Sequence, residues 1–271
     1  MTNKHDIIWL KSVDSTNNEA RRRFSEIDNL SVLSAELQTA GRGQRGNIWH
    51  SLSGENLTFS IVLKFAIKES DSLLPRLKAS DQFTISEITA LSVVDFLARS
   101  GIEAKIKWPN DIYVGNRKIC GILIENFIRG NMVSGSIVGI GLNVNQMTFD
   151  PDLPNPTSMA LCLKEKGLDD HKSDIKTIIH DFMKIFREYL DQADRPGTLR
   201  QSYLEKMWLL DEYAQFIDTS DNKEFTGKIR GLSDVGNLLV ELPDCSVKEF
   251  GFREISYLLS SKRSQFQDFL P

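Results

Sequence analysis

Cysteine is scarce in this chain: Cys120, Cys162 and Cys245 are its whole complement in 271 residues, far apart and without a CxxC pair. An odd, dispersed set suits neither a disulfide framework nor a zinc knuckle, and a reducing cytoplasm is the expected compartment. The four histidines, His5, His50, His171 and His180, stand at no metal-ligand spacing, so no transition-metal site is expected. No Ser/His/Asp or Cys/His arrangement can be recognised, and hydrolytic covalent catalysis is not indicated. An excess of positive charge is missing too: 33 Lys and Arg against 37 Asp and Glu give a net charge of −4, which is not the balance of a chain that lives on nucleic acid. No apolar run approaches the roughly 18 residues needed to span a bilayer, and the N-terminus lacks a signal peptide's apolar core. Repeats and low-complexity segments are absent as well.

What is present is an ordinary globular composition, 41% hydrophobic and 26% charged, long enough for one good core plus a small second module. A short strand at Ile7 to Leu10 precedes Asp14-Ser15-Thr16-Asn17-Asn18-Glu19, whose hydroxyl and glutamate stand at capping-box spacing and predict a helix through Arg23. Strands follow at Ser31–Leu37 and Leu57–Leu63, joined by a Gly-rich loop from Ala40 to Asn47. Thr84-Ile85-Ser86-Glu87 repeats the capping spacing ahead of a core-facing helix that stops at Gly101. From Glu103 the pattern reads as strands around a two-residue Gly115-Asn116 turn, then a third strand at Val133–Val144. Ser173 to Leu190 carries a wide apolar stripe. Short alternating runs between about Tyr213 and Leu259 suggest a small antiparallel barrel, so two domains are expected, 1–212 and 213–271.

Four features could carry chemistry. The loop Gln38 to Trp49 places three glycines and two arginines between strands, able to turn sharply and offer N–H groups and guanidinium forks to an anion; a solvated turn is the plain alternative. It is not a P-loop, because the GK[ST] ending is missing. The hairpin turn sets Val114 opposite Arg117, Tyr113 opposite Lys118 and Asp111 opposite Cys120, with Lys118, Tyr113 and Asp111 on one face. Charges there mean either a wet face or a nucleotide or carboxylate site. Pro109 should break the ladder and turn Asn110 or Asp111 outward. Gly139, Gly141 and Asn143 alternate onto one face, leaving room for an adenine or ribose, although a bulge also explains the glycines.

In order, Asp14-Ser15-Thr16-Asn17, Gln38 to Trp49, Lys107-Trp108-Pro109-Asn110-Asp111, Lys118 to Glu125 and Gly139-Ile140-Gly141-Leu142-Asn143 resemble the biotin protein ligases. The resemblance is close from about residue 8 to 160 and looser toward Gly227, Gly231, Gly236 and Phe250 to Ile255. It implies an α+β fold: a mixed central β-sheet backed by helices, the class II synthetase-like biotin–lipoate ligase core, followed by a small SH3-like β-barrel. It implies ATP-dependent activation of biotin to biotinyl-5′-AMP, with magnesium, and transfer to one lysine of a biotin carboxyl carrier protein. Ser15, Thr16, Asn17, Gln38, Gly41, Arg42, Gly43, Gln44, Lys118 and Gly121 are implied on biotin. Arg45, Trp49, Asn110, Asp111, Lys118 and Asn143 are implied on ATP or the adenylate, with Lys118 and Arg42 catalytic.

Gln44 and Asn47 depart from the family loop, where arginines are frequent, and weaken the expected grip on the adenylate. About seven residues precede the core, so an operator-binding helix-turn-helix domain is not expected; a homodimer through the central sheet is plausible by resemblance. Lipoate or octanoyl transfer is the nearest alternative. A non-catalytic biotin sensor is the other, disfavoured by the presence of both Arg42 and Lys118.

Overall fold

The computed structural model describes residues 6–68, 74–168 and 172–258. They fall into two compact units, Met1–Trp208 and Leu209–Pro271. The first unit holds β1 (Ile7–Val13), α1 (Thr16–Arg22), β2 (Val32–Gln38), β3 (Leu57–Lys64), β4 (Leu77–Lys78), α2 (Phe83–Arg99), β5 (Lys105–Lys107), β6 (Asp111–Val114), β7 (Arg117–Arg129), β8 (Met132–Leu142), α3 (Met159–Glu165), α4 (Ile175–Leu190) and α5 (Pro196–Glu205). The main sheet runs β1-β2-β3-β8-β7-β6-β5, with β4 paired to β8. Only β1 and β2 are parallel, and α1 supplies the crossover that a parallel pair requires.

The two faces of the sheet bury different partners. On one, Val62 and Ile137 meet Ala20 and Ile27 from α1 and the turn after it. On the other, Phe59 meets Phe182 of α4 edge to face, with ring centroids 5.4 Å apart, and Phe96 of α2 packs on the same ring. Helix α2 is buried nearly all round, as a helix trapped between sheet and helices must be. Helix α4 shows a single apolar stripe, and its N-cap Asp174 accepts from the Lys176 and Thr177 amides.

Neither capping box forms. Ser15 is the N-cap of α1 without a side-chain bond, and Glu19 turns instead to Arg22 at 2.8 Å. Gln82 precedes α2, and Glu87 is buried against Arg200 of α5, an ion pair that burial alone would oppose by raising the carboxyl pKa.

An amide cluster closes the other end of the sheet. Asn56 accepts from the Val144 amide at 3.0 Å and donates to Gln146, whose Nε2 reaches the Thr148 carbonyl at 2.8 Å. Asn56→Leu strands the buried Val144 N–H and leaves Gln146 Oε1 only the 3.5 Å bond from the Leu52 amide, and is expected to lower unfolding free energy by about 2 kcal/mol. Denaturant titration measures it, and a loss under about 0.5 kcal/mol would contradict the assignment.

The second unit is a five-stranded antiparallel sheet of order β12-β11-β10-β9-β13, from β9 (Tyr213–Asp218), β10 (Lys223–Leu232), β11 (Leu238–Glu241), β12 (Val247–Phe250) and β13 (Ile255–Tyr257). Among the described residues its ladder runs as one open path, so the expected barrel is corrected to an open sheet. Phe216, Phe225 and Phe250 stack through its centre, with centroids 5.5 Å apart at each step.

Candidate active site

The α1 face of the sheet carries a strip of polar groups. At one end Thr16 is fixed to Gln38, its amide donating to Oε1 at 2.8 Å and its hydroxyl lying 3.2 Å from the same oxygen. Ser60, from the middle of the apolar strand β3, places its hydroxyl 2.8 Å from Thr16 Oγ1 and 2.6 Å from Asn17 Oδ1. Asn17 donates to the Leu123 carbonyl at 3.1 Å and to Glu125 Oε2 at 2.9 Å. Its two N–H groups are thereby used, and it is itself held in place by Gly139, where a Cβ would come within 2.9 Å of the amide carbon. Ser15, Thr16 and Asn17 are all buried.

The middle of the strip is a floor without side chains. Gly121 and Gly141 are register partners on β7 and β8, and the Trp49 indole lies on both. A Cβ on Gly121 would meet the indole at 2.9 Å, and one on Gly141 would meet Nε1 and Cζ2 at 2.7 Å. The indole Nε1 is buried with no hydrogen-bond partner among the described residues. The loop that delivers Trp49 is a closed turn: Gly43 donates to the Asn47 carbonyl at 2.7 Å, and Trp49 to that of Gly41 at 3.0 Å. Gly41 must be glycine, because a Cβ there would run into the Trp49 carbonyl. The Arg45 side chain lies outside the described residues.

The far end is cationic. The ammonium of Lys118 sits 2.6 Å from Asp111 Oδ1 and 5.6 Å above the Trp49 ring. Lys107 lies 3.9 Å from Asp111 Oδ2 and donates to the Tyr113 hydroxyl at 3.1 Å. Burial holds that phenol above its ordinary pKa, so it stays protonated and able to donate. Lys107, Asp111, Tyr113 and Lys118 thus share a face, but the hairpin register differs from simple counting. A bulge in β7 shifts the pairing between Ile112 and Tyr113, so Asp111 stands opposite Gly121 rather than Cys120. Without that extra residue the aspartate would face away from the glycine floor. Cys120 is fully buried, and desolvation raises its thiol pKa, which leaves it inert.

Asn110 and Asn143 are used structurally. Asn110 Nδ2 donates to the Ile122 carbonyl at 3.0 Å, and Asn143, also buried, donates to the Thr157 carbonyl at 2.9 Å. That second bond pins a strap, because Lys118 donates its amide to Asn155 O and accepts from Thr157 N. Arg42 is found at the α1 end, its Nη1 2.8 Å from Asn18 Oδ1 and 3.3 Å from Glu125 Oε1. Ser60, Glu125 and Lys107 were not singled out by sequence reasoning. A hydroxyl and a carboxylate inside the apolar runs Leu57–Leu63 and Ile119–Glu125 were the available signals.

The model of the biotin/lipoate A/B protein ligase family matches residues 9–143. The chain is 32% identical over 244 residues to the bifunctional ligase/repressor BirA of Bacillus subtilis, covering 88% of this chain and 68% of that protein. It is 28% identical over 243 residues to the biotin–[acetyl-CoA-carboxylase] ligase of Paracoccus denitrificans, covering 86% of this chain and 93% of that one. The chain spans 61% of the length of the BirA of Bacillus spizizenii, to which it is 33% identical. Among solved structures, the biotin protein ligase of Aquifex aeolicus in complex with biotin and ATP aligns with a TM-score of 0.72 at 28% identity, covering 94% of this chain and 99% of that one.

Proposed function

This chain belongs to the biotin/lipoate A/B protein ligase family, and from that we propose that it is an ATP-dependent biotin protein ligase acting on a biotin carboxyl carrier protein. The observation that carries this is the Lys118–Asp111 pair, 2.6 Å apart, at the edge of a glycine floor on which the Trp49 indole lies. The Trp49 indole occupies that floor, and the face it turns away from the glycines is the surface it offers to a flat ring.

In the first step a biotin carboxylate oxygen attacks the α-phosphorus of ATP, and pyrophosphate leaves. Both reactants are anions, so the barrier is mainly repulsion. Lys118 lowers it as a fixed positive charge placed before reaction. Asp111 holds that ammonium in position while Lys107 shares its charge, which keeps Lys118 available to a second anion. In the second step the ε-amine of the carrier lysine attacks the acyl carbon of the adenylate and AMP departs. Ser15 and Thr16, at the start of α1, and Gln38, at the end of β2, line the end suited to the cyclic urea of biotin, which needs both donors and acceptors.

Magnesium fits as an ion carried by the ATP phosphates rather than by a protein cage: among the described residues there is no cluster of three His, Cys, Asp or Glu side chains, and Asp111 and Glu125 are each spent on cations. Bound with ATP, it would offset phosphate charge.

Both substrates are assigned to the first domain, ending near residue 212, and cytoplasmic residence and a homodimer through the central sheet belong to the same proposal. No helix among the described residues is long and apolar enough to cross a membrane. Sedimentation showing only monomer with and without ligands would remove the homodimer. The activity is tested by incubating the protein with ATP, magnesium, a carrier domain and either labelled biotin or labelled lipoate. Transfer of biotin alone is the expected result. Transfer of lipoate alone would move the chain to the sister activity, and biotin binding without transfer would make it a sensor.

A further inference from the structure

Lys107 and Asp111 stand directly opposite each other on β5 and β6, with side chains only 14% and 17% exposed. An ammonium and a carboxylate so placed would ordinarily close to a charge-assisted hydrogen bond, about twice as strong as one to a neutral acceptor. Here they stay 3.9 Å apart, and the ammonium donates instead to the neutral hydroxyl of Tyr113 at 3.1 Å. The centroid of the Tyr113 ring is 4.7 Å from the same ammonium, so ring and hydroxyl hold it together. The ring is buried and cannot swing away, because it packs on Trp208 with centroids 5.2 Å apart.

Asp111 is therefore shared unequally. Its Oδ1 meets the Lys118 ammonium at 2.6 Å, whereas Lys107 acts on Oδ2 from beyond hydrogen-bond reach. Both departures from this arrangement would disturb Lys118. Were the Lys107 charge absent, the carboxylate would cancel that of Lys118, and the group would lose its net positive charge toward an arriving anion. Were Lys107 to close on Oδ2, the carboxylate would divide between two contacting ammoniums and hold Lys118 less firmly. Tyr113 stands where it can set the distance, two residues along β6 from Asp111 and paired across the hairpin with Lys118 itself.

We infer that Tyr113 is a positioning residue that holds the Lys107 ammonium off Asp111, and so keeps the carboxylate fixed on Lys118, the cation at which the first half-reaction takes place. The inference rests on the biotin-ligase reading. Tyr113 acts through Lys107 and Asp111 rather than on a substrate. Removing its hydroxyl should therefore slow the chemical step and leave substrate binding in place.

The test is biotin-dependent exchange of pyrophosphate into ATP by wild type, Y113F, K107Q and the Y113F/K107Q double variant. Y113F keeps the ring on Trp208 and removes only the hydroxyl. It is expected to lower kcat about tenfold, since small displacements of a reacting group carry rate losses of this order, with KM for biotin and ATP within about twofold of wild type. In the K107Q background there is no ammonium to hold, and Y113F should have no further effect. Unchanged kcat in Y113F, a loss confined to KM, or the same tenfold factor in both backgrounds would each overturn the inference, the last by showing that the hydroxyl serves the fold alone. If Y113F melts below the assay temperature, K107R replaces it: the longer planar fork closes on Oδ2 with the hydroxyl still present, and the same fall in kcat at unchanged KM is required of it. Wild type is read first and by itself. Exchange driven by lipoate and not by biotin would count against the biotin reading only, and the variants are then compared in lipoate-dependent exchange; no exchange with either acid would overturn the ligase reading and this inference with it.

Discussion

Lys118→Ala is expected to cut biotin transfer to a carrier domain by about a thousandfold in kcat, with the fold retained. The first half-reaction brings a carboxylate onto a polyphosphate, and Lys118 is the cation that stands beside the glycine floor, 2.6 Å from Asp111. Loss of one preorganised charge from such a site is worth about two to three orders of magnitude in rate. The structural cost is smaller. Lys118 is 32% exposed, so water reaches the space left, and Asp111 keeps Lys107 at 3.9 Å as a partner. Lys118→Arg should not rescue, because the ammonium stands within 3.4 Å of where a Cβ on Gly121 would be, and a planar fork does not fit that slot. Biotin-dependent exchange of pyrophosphate into ATP isolates the first step from carrier docking. Exchange within tenfold of wild type in Lys118→Ala would move the catalytic charge elsewhere, with Arg42 and Lys107 the remaining cations on the strip.

The lysine was legible from the sequence because its surroundings are local. A two-residue turn fixes a hairpin, and Gly115, at φ 58 in the first turn position, is what such a turn demands. Counting outward from it puts Tyr113 opposite Lys118, as found. Counting two residues further fails, because the bulge at Ile119 is stabilised by the strap through Asn155 and Thr157, almost forty residues along the chain. The same division runs through the helix starts. Thr16…Glu19 and Thr84…Glu87 have capping-box spacing, but Thr16 is claimed by Gln38 and Ser60, and Glu87 by Arg200. Partners supplied by the tertiary fold outcompete a cap that is worth only about 1 kcal/mol. Ser60 and Glu125 were missed for a related reason. A polar residue in an apolar run announces that it has a partner, but the partner's identity depends on which strands become neighbours.

Gly141→Ala is the second substitution with a large expected effect, and it acts through a contact rather than a charge. The added methyl would stand within 2.7 Å of Trp49 Nε1 and Cζ2, closer than real Cβ atoms come, and neither the strand nor the indole can yield by a few tenths of an ångström and keep its place. The strand is locked in the ladder between β3 and β7, so the indole moves. On the proposed reading, ATP loses the indole surface it packs against, and its affinity is expected to fall by more than tenfold, against a stability loss of about 1–3 kcal/mol. Gly115→Ala is the matched control: nothing lies within 4 Å of its Cβ position, so only the positive φ is penalised, at about 1 kcal/mol, and ATP binding should stand. Combining Gly141→Ala with Trp49→Ala decides the cause. If the methyl acts by expelling the indole, the double variant should bind ATP as Trp49→Ala does alone; a further tenfold loss would mean that the methyl meets the nucleotide itself, and that Trp49 is packing beside the site rather than part of it.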